Sequence, residues 1–293
     1  MSEAAAGIAL IGFGEAGMAF AGALRGRVAL KAFDIKTLDP AAAAAKWEDY
    51  RRLGVSGAAS LGQALAGADL VLSLVTADQA LVATRQAAQS LPDGALYCDF
   101  NSAAPATKGE AAALIEGAGG HYADVAVMAP VHPRLLSVPL LVSGPTVAEA
   151  CARLTAIGFA PRAAGEQVGR ASMIKMLRSV MVKGMEALTA ECFLACWRAG
   201  VVDEVASSLG ETWPGVDWVA KADYNLERMM VHGDRRAAEM DEVARTLADL
   251  GMASDMARAT AAAQRRIGAM ALKAAPGLDA KAQTILDSKP EAA

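Results

Sequence analysis

The stretch Gly12-Phe13-Gly14-Glu15-Ala16-Gly17 decides the fold. It follows the apolar run at residues 7–11 and opens an alanine-rich segment with a helical pattern, so it lies at a strand-to-helix turn. The first glycine permits the tight turn, the second lets the backbone approach a ligand, and the third lets helix and strand pack closely. Because a helix N-terminus attracts negative charge, the pattern predicts a phosphate-binding loop.

Asp34 extends this prediction from a phosphate to a dinucleotide. It follows the apolar run at residues 28–33 and comes about 20 residues after Gly12, where an acidic residue accepts hydrogen bonds from an adenosine ribose diol. A negative charge there repels a 2′-phosphate, so we expect NAD as cofactor and NADP less readily, although the nearby Lys36 weakens that preference. The predicted cofactor contacts in this region are Gly12, Phe13, Gly14, Glu15, Ala16 and Asp34.

Short apolar runs alternate with helical segments up to about residue 165. The runs lie at residues 7–11, 28–33, 70–75, 95–100, 122–127 and 140–142. Continuous rather than alternating hydrophobicity is typical of strands that are buried on both faces of a parallel sheet. We therefore predict an α/β fold in which residues 1–165 form a doubly wound, Rossmann-type domain.

The second half of the chain has a helical pattern throughout. Residues 169–199 contain no proline, and five apolar residues recur at intervals of three and four, as in a helix that buries one stripe: Ile174, Leu177, Met181, Met185 and Leu188. Further helices fit residues 201–209, 217–230, 235–250 and 254–271, and we expect a weakly ordered tail after residue 276. Residues 166–293 are thus predicted to form a helical substrate and dimerisation domain, joined to the first by a long interdomain helix. Since a monomer covers so long a helix poorly, we expect a homodimer or a higher homo-oligomer.

Composition narrows the range of partners. The net charge of −4 argues against a nucleic-acid partner, because it leaves no broad basic surface. No uncharged apolar run reaches the roughly 18 residues of a membrane-spanning helix. The first residues lack a basic signal region, so we expect a cytoplasmic protein. With three histidines and four scattered cysteines, no metal site is expected.

Four segments together resemble the β-hydroxyacid dehydrogenase family, which includes 3-hydroxyisobutyrate dehydrogenase and the 6-phosphogluconate dehydrogenases. In chain order they are the glycine loop with Asp34, then Leu74-Val75-Thr76, then Asp99-Phe100-Asn101-Ser102 followed by Pro105, and finally the stretch from Gly169 to Gly200 that contains Lys175 and Ala190-Glu191. The segments span most of the chain, and each matches the family in its own structural setting.

The resemblance implies an NAD-dependent oxidoreductase that acts on the CH–OH group of a β-hydroxy acid and transfers hydride to nicotinamide. Lys175 would be the general acid/base, since burial and a nicotinamide cation both lower a lysine pKa and make the neutral amine accessible. Ser102 and Asn101 would hold the substrate carboxylate and the nicotinamide edge, and Val75 and Thr76 would border the cofactor.

Departures from the family pattern suggest a divergent branch. Ser179, preceded by Arg178, stands where the family commonly has asparagine, and both residues are candidates for binding the substrate. We align the family's D-A-P-V-S-G-G segment with residues 128–134, where the acidic residue and both glycines are missing, so His132 and Arg134 become candidates for binding a carboxylate. Met128 and Leu135-Leu136 make that loop apolar, which favours a bulky or aromatic substrate.

The helical half adds one more candidate region, at residues 232–241. His232 and Arg235 are candidates for the substrate cleft, whereas we interpret Arg236 and Glu239 as an ion pair within one helix. Two other functions stay open. An imine reductase shares the architecture, although retention of Lys175 argues against it, and a dinucleotide-binding protein without turnover would need no Lys175.

Overall fold

The N-terminal half is built on one sheet, and the computed structural model describes residues 7–288 of the chain. The strands found there are β1 (Ile8–Ile11), β2 (Leu30–Phe33), β3 (Ser56–Gly57), β4 (Leu70–Ser73), β5 (Leu96–Asp99), β6 (His121–Val127), β7 (Pro139–Ser143) and β8 (Ala160–Gly165). Their order in the sheet is β3-β2-β1-β4-β5-β6-β7-β8. Neighbours pair in parallel, except that β6 and β7 are antiparallel. The predicted doubly wound α/β fold is confirmed.

Alternate residues of the central strands enter two different hydrophobic clusters. Leu10 of β1 and Leu72 of β4 belong to the cluster that contains Phe20, whereas Ile11 and Val71 belong to a second cluster. Both faces of these strands are therefore buried, which explains why their sequences are apolar without interruption. Helices connect the strands: α1 (Glu15–Leu24), α2 (Ala43–Leu53), α3 (Leu61–Leu65), α4 (Ala80–Ala88), α5 (Pro105–Gly117) and α6 (Val147–Ala156).

The two strands at the ends of the sheet were not predicted from the sequence. β3 has only two residues, and β8 contains Pro161 and Arg162 and is largely exposed. Edge strands need no second apolar face and tolerate proline, so they carry no continuous apolar run.

A helical unit follows the sheet. The chain divides into two compact units between Lys175 and Met176, whereas the sequence pattern changes at residue 165. The helices are α7 (Arg170–Ala199), which starts in the first unit, then α8 (Val202–Thr212), α9 (Trp218–Asp249), α10 (Asp255–Gly268) and α11 (Leu278–Asp287). Helix α11 buries Leu278 and Ile285 in the core of this unit, so the expectation of a weakly ordered tail is wrong for residues 278–287. Residues 289–293 lie outside the described residues.

Helix α9 is continuous where the sequence suggested a break. A Cβ atom at Gly233 would lie 2.5 Å from the Gln264 carbonyl oxygen and 2.6 Å from the Gly268 Cα. Gly233 therefore serves the close approach of the α9 and α10 backbones rather than the end of a helix. Within residues 7–288, no helix is both long enough and apolar enough to cross a membrane.

Helix α7 exposes much of its apolar stripe and buries several polar side chains instead. Four of the five residues of the predicted buried stripe are exposed by 39–67 % in this single chain: Ile174, Leu177, Met181 and Leu188. Several buried positions of the helix are polar instead, namely Ser172, Ser179, Lys183, Glu186 and Thr189. The period of three and four residues was interpreted correctly as helical, but a single chain does not bury this apolar stripe, and the expected partner subunit stays a prediction.

Candidate active site

The glycine loop has the geometry of a ligand cradle. Gly12 has a φ of +89°, and a Cβ there would lie 2.6 Å from the Leu74 carbonyl oxygen, so only glycine fits between β1 and the loop after β4. Gly14 is the N-cap of α1 and has no side chain to cap it, and nothing lies within 4 Å of a Cβ built there. The helix N-terminus thus faces open space above Gly14, which fits a pyrophosphate.

Asp34 joins the glycine loop to the end of β2. Its Oδ2 accepts the Phe13 N–H at 2.6 Å and its Oδ1 accepts the Lys36 N–H at 2.9 Å. Each carboxylate oxygen has a further lone pair, so the group can still accept from a ribose hydroxyl. The Phe13 ring is fully buried and lies 4.7 Å from the Tyr50 ring, which leaves only its backbone for a cofactor. Glu15 is exposed and Ala16 is half-buried in the first turn of α1.

Asn101 connects the loop after β5 to the end of β4 and the loop that follows it through hydrogen bonds. Its Oδ1 accepts the Val75 N–H at 2.7 Å, and its Nδ2 donates to Ser73 Oγ at 3.0 Å. The side chain is only 3 % exposed. Asn101 therefore positions the loop that carries half-buried Val75 and exposed Thr76, and its amide is engaged by the chain itself.

Two residues from different sequence motifs meet at the carboxyl end of β5. Lys175, in the second turn of α7, donates from Nζ to the Ser102 Oγ at 2.6 Å, although the two are 73 residues apart. Both residues are half-buried. Because the serine oxygen accepts from the lysine, the serine hydrogen remains able to donate to another oxygen. The Lys175–Ser102 pair thus places an amine next to a hydroxyl group that can still donate a hydrogen bond.

A buried polar network that was not predicted from the sequence lies next to this pair. Lys108 Nζ lies 2.9 Å from Asp99 Oδ1 and 3.4 Å from Asp124 Oδ1. Tyr122 donates to Asp99 Oδ2 at 2.7 Å, and the Ser172 hydroxyl donates to Asp124 Oδ1 at 2.7 Å. Burial, together with the two carboxylates, raises the pKa of Tyr122 well above its usual value, so this group stays a neutral donor.

The sequence did contain a signal for the network. Asp99 and Asp124 interrupt or end apolar runs that were assigned to strands buried on both faces. A carboxylate in such a strand needs a buried partner, because an unpaired buried charge is too costly. Lys108 on α5 is that partner.

The predicted loop residues His132 and Arg134 lie between β6 and β7, and both are exposed. Within the described part of the chain, neither side chain has a hydrogen bond or ion pair to another residue. Their proposed contact with a carboxylate stays a prediction.

The predicted residues of the helical unit lie in two environments. Ser179 is buried and accepts a hydrogen bond from Lys183 Nζ at 3.1 Å, and Lys183 also pairs with Glu239 at 2.9 Å. Arg178 is exposed, whereas His232 is half-buried in the middle of α9.

One ion pair differs from the sequence interpretation. Arg236 pairs with Glu186 of α7, with 2.7 Å between its Nε and the Glu186 Oε2, and not with Glu239 of its own helix. When one face of a long helix is buried, its charged side chains can pair with residues of neighbouring helices. The spacing of charged residues along one helix cannot predict such pairs.

Comparison with known proteins places these features in a family. Residues 7–132 match the NAD binding domain of 6-phosphogluconate dehydrogenase, and residues 197–267 match the domain of unknown function DUF1932. A conserved hypothetical protein from Sinorhizobium meliloti 1021 is 39% identical over 97% of both chains, with a TM-score of 0.74. The conserved protein MTH1747, described as structurally similar to 3-hydroxyacid dehydrogenases, is 30% identical over 89% of this chain and 96% of its own, with a TM-score of 0.68. The chain belongs to the β-hydroxyacid dehydrogenase family.

A more distant structure shares the fold of this β-hydroxyacid dehydrogenase family member. The 3-hydroxyisobutyrate dehydrogenase of Mycobacterium tuberculosis, solved with L-serine, is 16% identical over 97% of this chain and 99% of its own, with a TM-score of 0.74. The family and its solved structures indicate an oxidoreductase of the hydroxyacid dehydrogenase type that uses a nicotinamide dinucleotide.

The structure also suggests a second alignment for one family segment. The segment D-A-P-V-S-G-G was aligned with residues 128–134, which lack an acidic residue. Asp124-Val125-Ala126-Val127, four residues earlier on β6, matches D-A-P-V at two of four positions and retains the acid. In this alignment Asp124 is the retained carboxylate, and it belongs to the buried network rather than to the exposed loop.

Proposed function

We propose that this protein is an NAD-dependent dehydrogenase that oxidises the CH–OH group of a β-hydroxy acid, with Lys175 as general acid/base. The observation that carries the proposal is the hydrogen bond between Lys175 Nζ and Ser102 Oγ at the end of β5. The glycine loop follows β1, which is parallel to β4 and β5, and the carboxyl ends of parallel strands lie at one edge of a sheet. Cofactor loop and proton-transfer group therefore share that edge.

Lys175, Ser102 and Asn101 have different roles in the proposed reaction. The bound dinucleotide supplies a hydride acceptor. In the direction of oxidation, the neutral Lys175 amine takes the proton of the substrate hydroxyl, and in reduction the ammonium returns it to the carbonyl oxygen. The Ser102 hydroxyl donates its hydrogen to a substrate oxygen, and Asn101 keeps the Val75 loop in place beside it.

A substrate panel tests this function. We propose a β-hydroxy acid with a bulky or aromatic substituent, because Met128 and Leu135 give the loop after β6 half-buried apolar side chains, whereas Leu136 is buried in the core. The panel contains aliphatic and aromatic β-hydroxy acids, β-hydroxy amino acids such as L-serine, and cyclic imines, with the change in dinucleotide absorbance as readout. Turnover of hydroxy acids alone supports the proposal. Turnover of imines alone, or dinucleotide binding without turnover of any compound, contradicts it in favour of the imine reductase or the non-catalytic protein.

Asp34 is expected to set the preference for NAD over NADP. Asp34→Asn keeps an acceptor for the Phe13 N–H. It removes the negative charge of the wild-type side chain, which both repels a 2′-phosphate and strengthens the hydrogen bond from a ribose hydroxyl. We expect the ratio of NADP to NAD dissociation constants to fall by about tenfold, which corresponds to roughly 1.4 kcal/mol. Calorimetric titration of both dinucleotides measures this ratio.

The matched control is Asp93→Asn, an exposed aspartate that precedes β5 and so lies towards the opposite edge of the sheet. Its ratio should equal that of the wild type. An unchanged ratio in Asp34→Asn would remove Asp34 from the dinucleotide site.

We also propose that a second copy of the chain covers the exposed apolar stripe of α7. Met181 is 67 % exposed, and its neighbours on that face are apolar as well. Sedimentation should give a mass of about twice 30.1 kDa or a higher multiple, and Met181→Glu should shift the protein towards the monomer. Leu38→Glu, which alters an equally exposed leucine of the first unit, should leave the mass unchanged. A wild-type monomer at micromolar concentration would contradict this assembly.

A further inference from the structure

Lys108 is a fully buried cation that lies close to three oxygen atoms. Its Nζ lies 2.9 Å from Asp99 Oδ1, 2.9 Å from the Asp99 carbonyl oxygen and 3.4 Å from Asp124 Oδ1. One of these contacts is a hydrogen bond to a carbonyl oxygen, and the other two are ion pairs with carboxylates. With no exposed surface, Lys108 cannot bind a substrate or a cofactor itself.

Each of the two carboxylates accepts hydrogen bonds from a residue that comes shortly before one member of the Lys175–Ser102 pair. Asp99 Oδ1 also accepts the Asn101 N–H at 2.9 Å, one residue before Ser102. Asp124 accepts the Ser172 N–H at 2.9 Å and the Ser172 hydroxyl at 2.7 Å, about one helical turn before Lys175. Asp99 thus orients the strand end that carries the serine, and Asp124 orients the start of the helix that carries the lysine.

We propose that Lys108 is a positioning residue that fixes the Lys175–Ser102 pair by joining the carboxylates of Asp99 and Asp124. This inference rests on the proposed function of that pair. Without the ammonium, two buried carboxylates would have only hydroxyl and amide donors, and an unpaired buried charge drives structural rearrangement or protonation. Rearrangement of either carboxylate shifts the serine relative to the lysine. Misplacement of a reacting group by about 1 Å can cost on the order of 10²-fold in rate.

The predicted signature is kinetic and depends on pH. In Lys108→Met we expect kcat to fall by about 10- to 100-fold at neutral pH, with a much smaller change in the KM for the dinucleotide. Without the cation, two buried carboxylates repel each other, and a proton bound by either one relieves that repulsion. The ratio of variant to wild-type kcat should therefore rise as pH falls. Tyr122, Tyr97 and Cys98, which also interact with Asp99, remain neutral because burial raises the pKa of each.

Lys281→Met is the matched control. Lys281 is 1 % exposed and pairs with two carboxylates, Asp223 and Glu227, in the helical unit. Its loss should lower stability without changing kcat or the pH profile. If Lys108→Met had the wild-type kcat at every pH, or if Lys281→Met lost kcat by the same factor with the same pH dependence, the proposal would be overturned.

A structural readout separates this inference from the proposed function. Crystal structures of wild type and Lys108→Met at one pH should show a longer distance between Lys175 Nζ and Ser102 Oγ in the variant, whether or not any panel substrate is turned over. An unchanged distance overturns the positioning role. Should Lys108→Met not fold, Ser172→Ala removes one bond to Asp124 and should lengthen the same distance and lower kcat by a few-fold, and wild-type values for that variant would equally overturn it.

Discussion

Lys175→Ala is expected to lower kcat by about 10²- to 10⁴-fold, the usual contribution of a positioned general acid/base. The variant removes the amine that hydrogen-bonds to Ser102 but leaves the glycine loop and Asp34 unchanged. Affinity for the dinucleotide should therefore stay within about twofold of wild type, since binding groups and proton-transfer group are different residues. Steady-state kinetics on the best panel substrate and calorimetry with the dinucleotide measure the two effects separately.

Two further variants serve as controls for the effect of Lys175→Ala. Lys175→Arg retains a cation that can donate to Ser102 but cannot become a neutral base, so it should be nearly as inactive as the alanine variant. Lys221→Ala, which alters an exposed lysine of α9, should keep the wild-type kcat. Full activity of Lys175→Ala would show that the proton is transferred by another group or that no such reaction occurs.

Glu186→Ala is expected to lower the free energy of unfolding by about 3–5 kcal/mol, because it leaves the Arg236 guanidinium buried without its partner. Glu186 is 3 % exposed and Arg236 8 %, and Gln264 Nε2 also donates to Glu186 Oε2 at 2.9 Å. The three residues join α7, α9 and α10 inside the helical unit. Urea unfolding followed by tryptophan fluorescence reports mainly on this unit, which contains three of the four tryptophans, namely Trp197, Trp213 and Trp218.

Two control variants separate the cost of leaving a buried charge unpaired from the cost of losing an attraction between two exposed charges. A double variant, Glu186→Met with Arg236→Met, replaces the pair by apolar side chains of similar length and should recover most of the lost stability. Arg265→Ala breaks an ion pair with Asp241 that is about half-exposed on both sides, and should cost at most about 1 kcal/mol. If Glu186→Ala cost no more than Arg265→Ala, burial of the pair would be unimportant for stability.

The sequence predicted the elements that depend on neighbours along the chain. The turn at Gly12 to Gly17, the runs that become β1, β2, β4 and β5, and the helices that follow them all depend on local pattern and backbone conformation. The relation of Ser102 to Lys175 was suggested only by resemblance to a family, because no pattern within a single sequence connects residues 73 positions apart.

Predictions that needed knowledge of burial failed for identifiable reasons. The period of α7 distinguishes an apolar face from a polar one, but it does not say which face the same chain covers, and the polar face is the buried one from Ser179 to Thr189. Separate helices were predicted at residues 217–230 and 235–250, because the contact of Gly233 with Gly268, 35 positions later, is invisible in the local sequence. The hydrogen bonds from Asn101 to Val75 and Ser73 were not predicted either, and its contact with a ligand stays a prediction.

The crossing of α9 and α10 limits how this scaffold can be modified. Where Gly233 faces Gly268, a Cβ atom on either residue would collide with the backbone of the other helix, and no rotamer change can relieve a collision with backbone atoms. A larger residue at either position would therefore force the two helices apart. Libraries intended to broaden the substrate range should therefore keep both glycines invariant and place diversity in the exposed loop after β6, where side chains can change without moving a backbone.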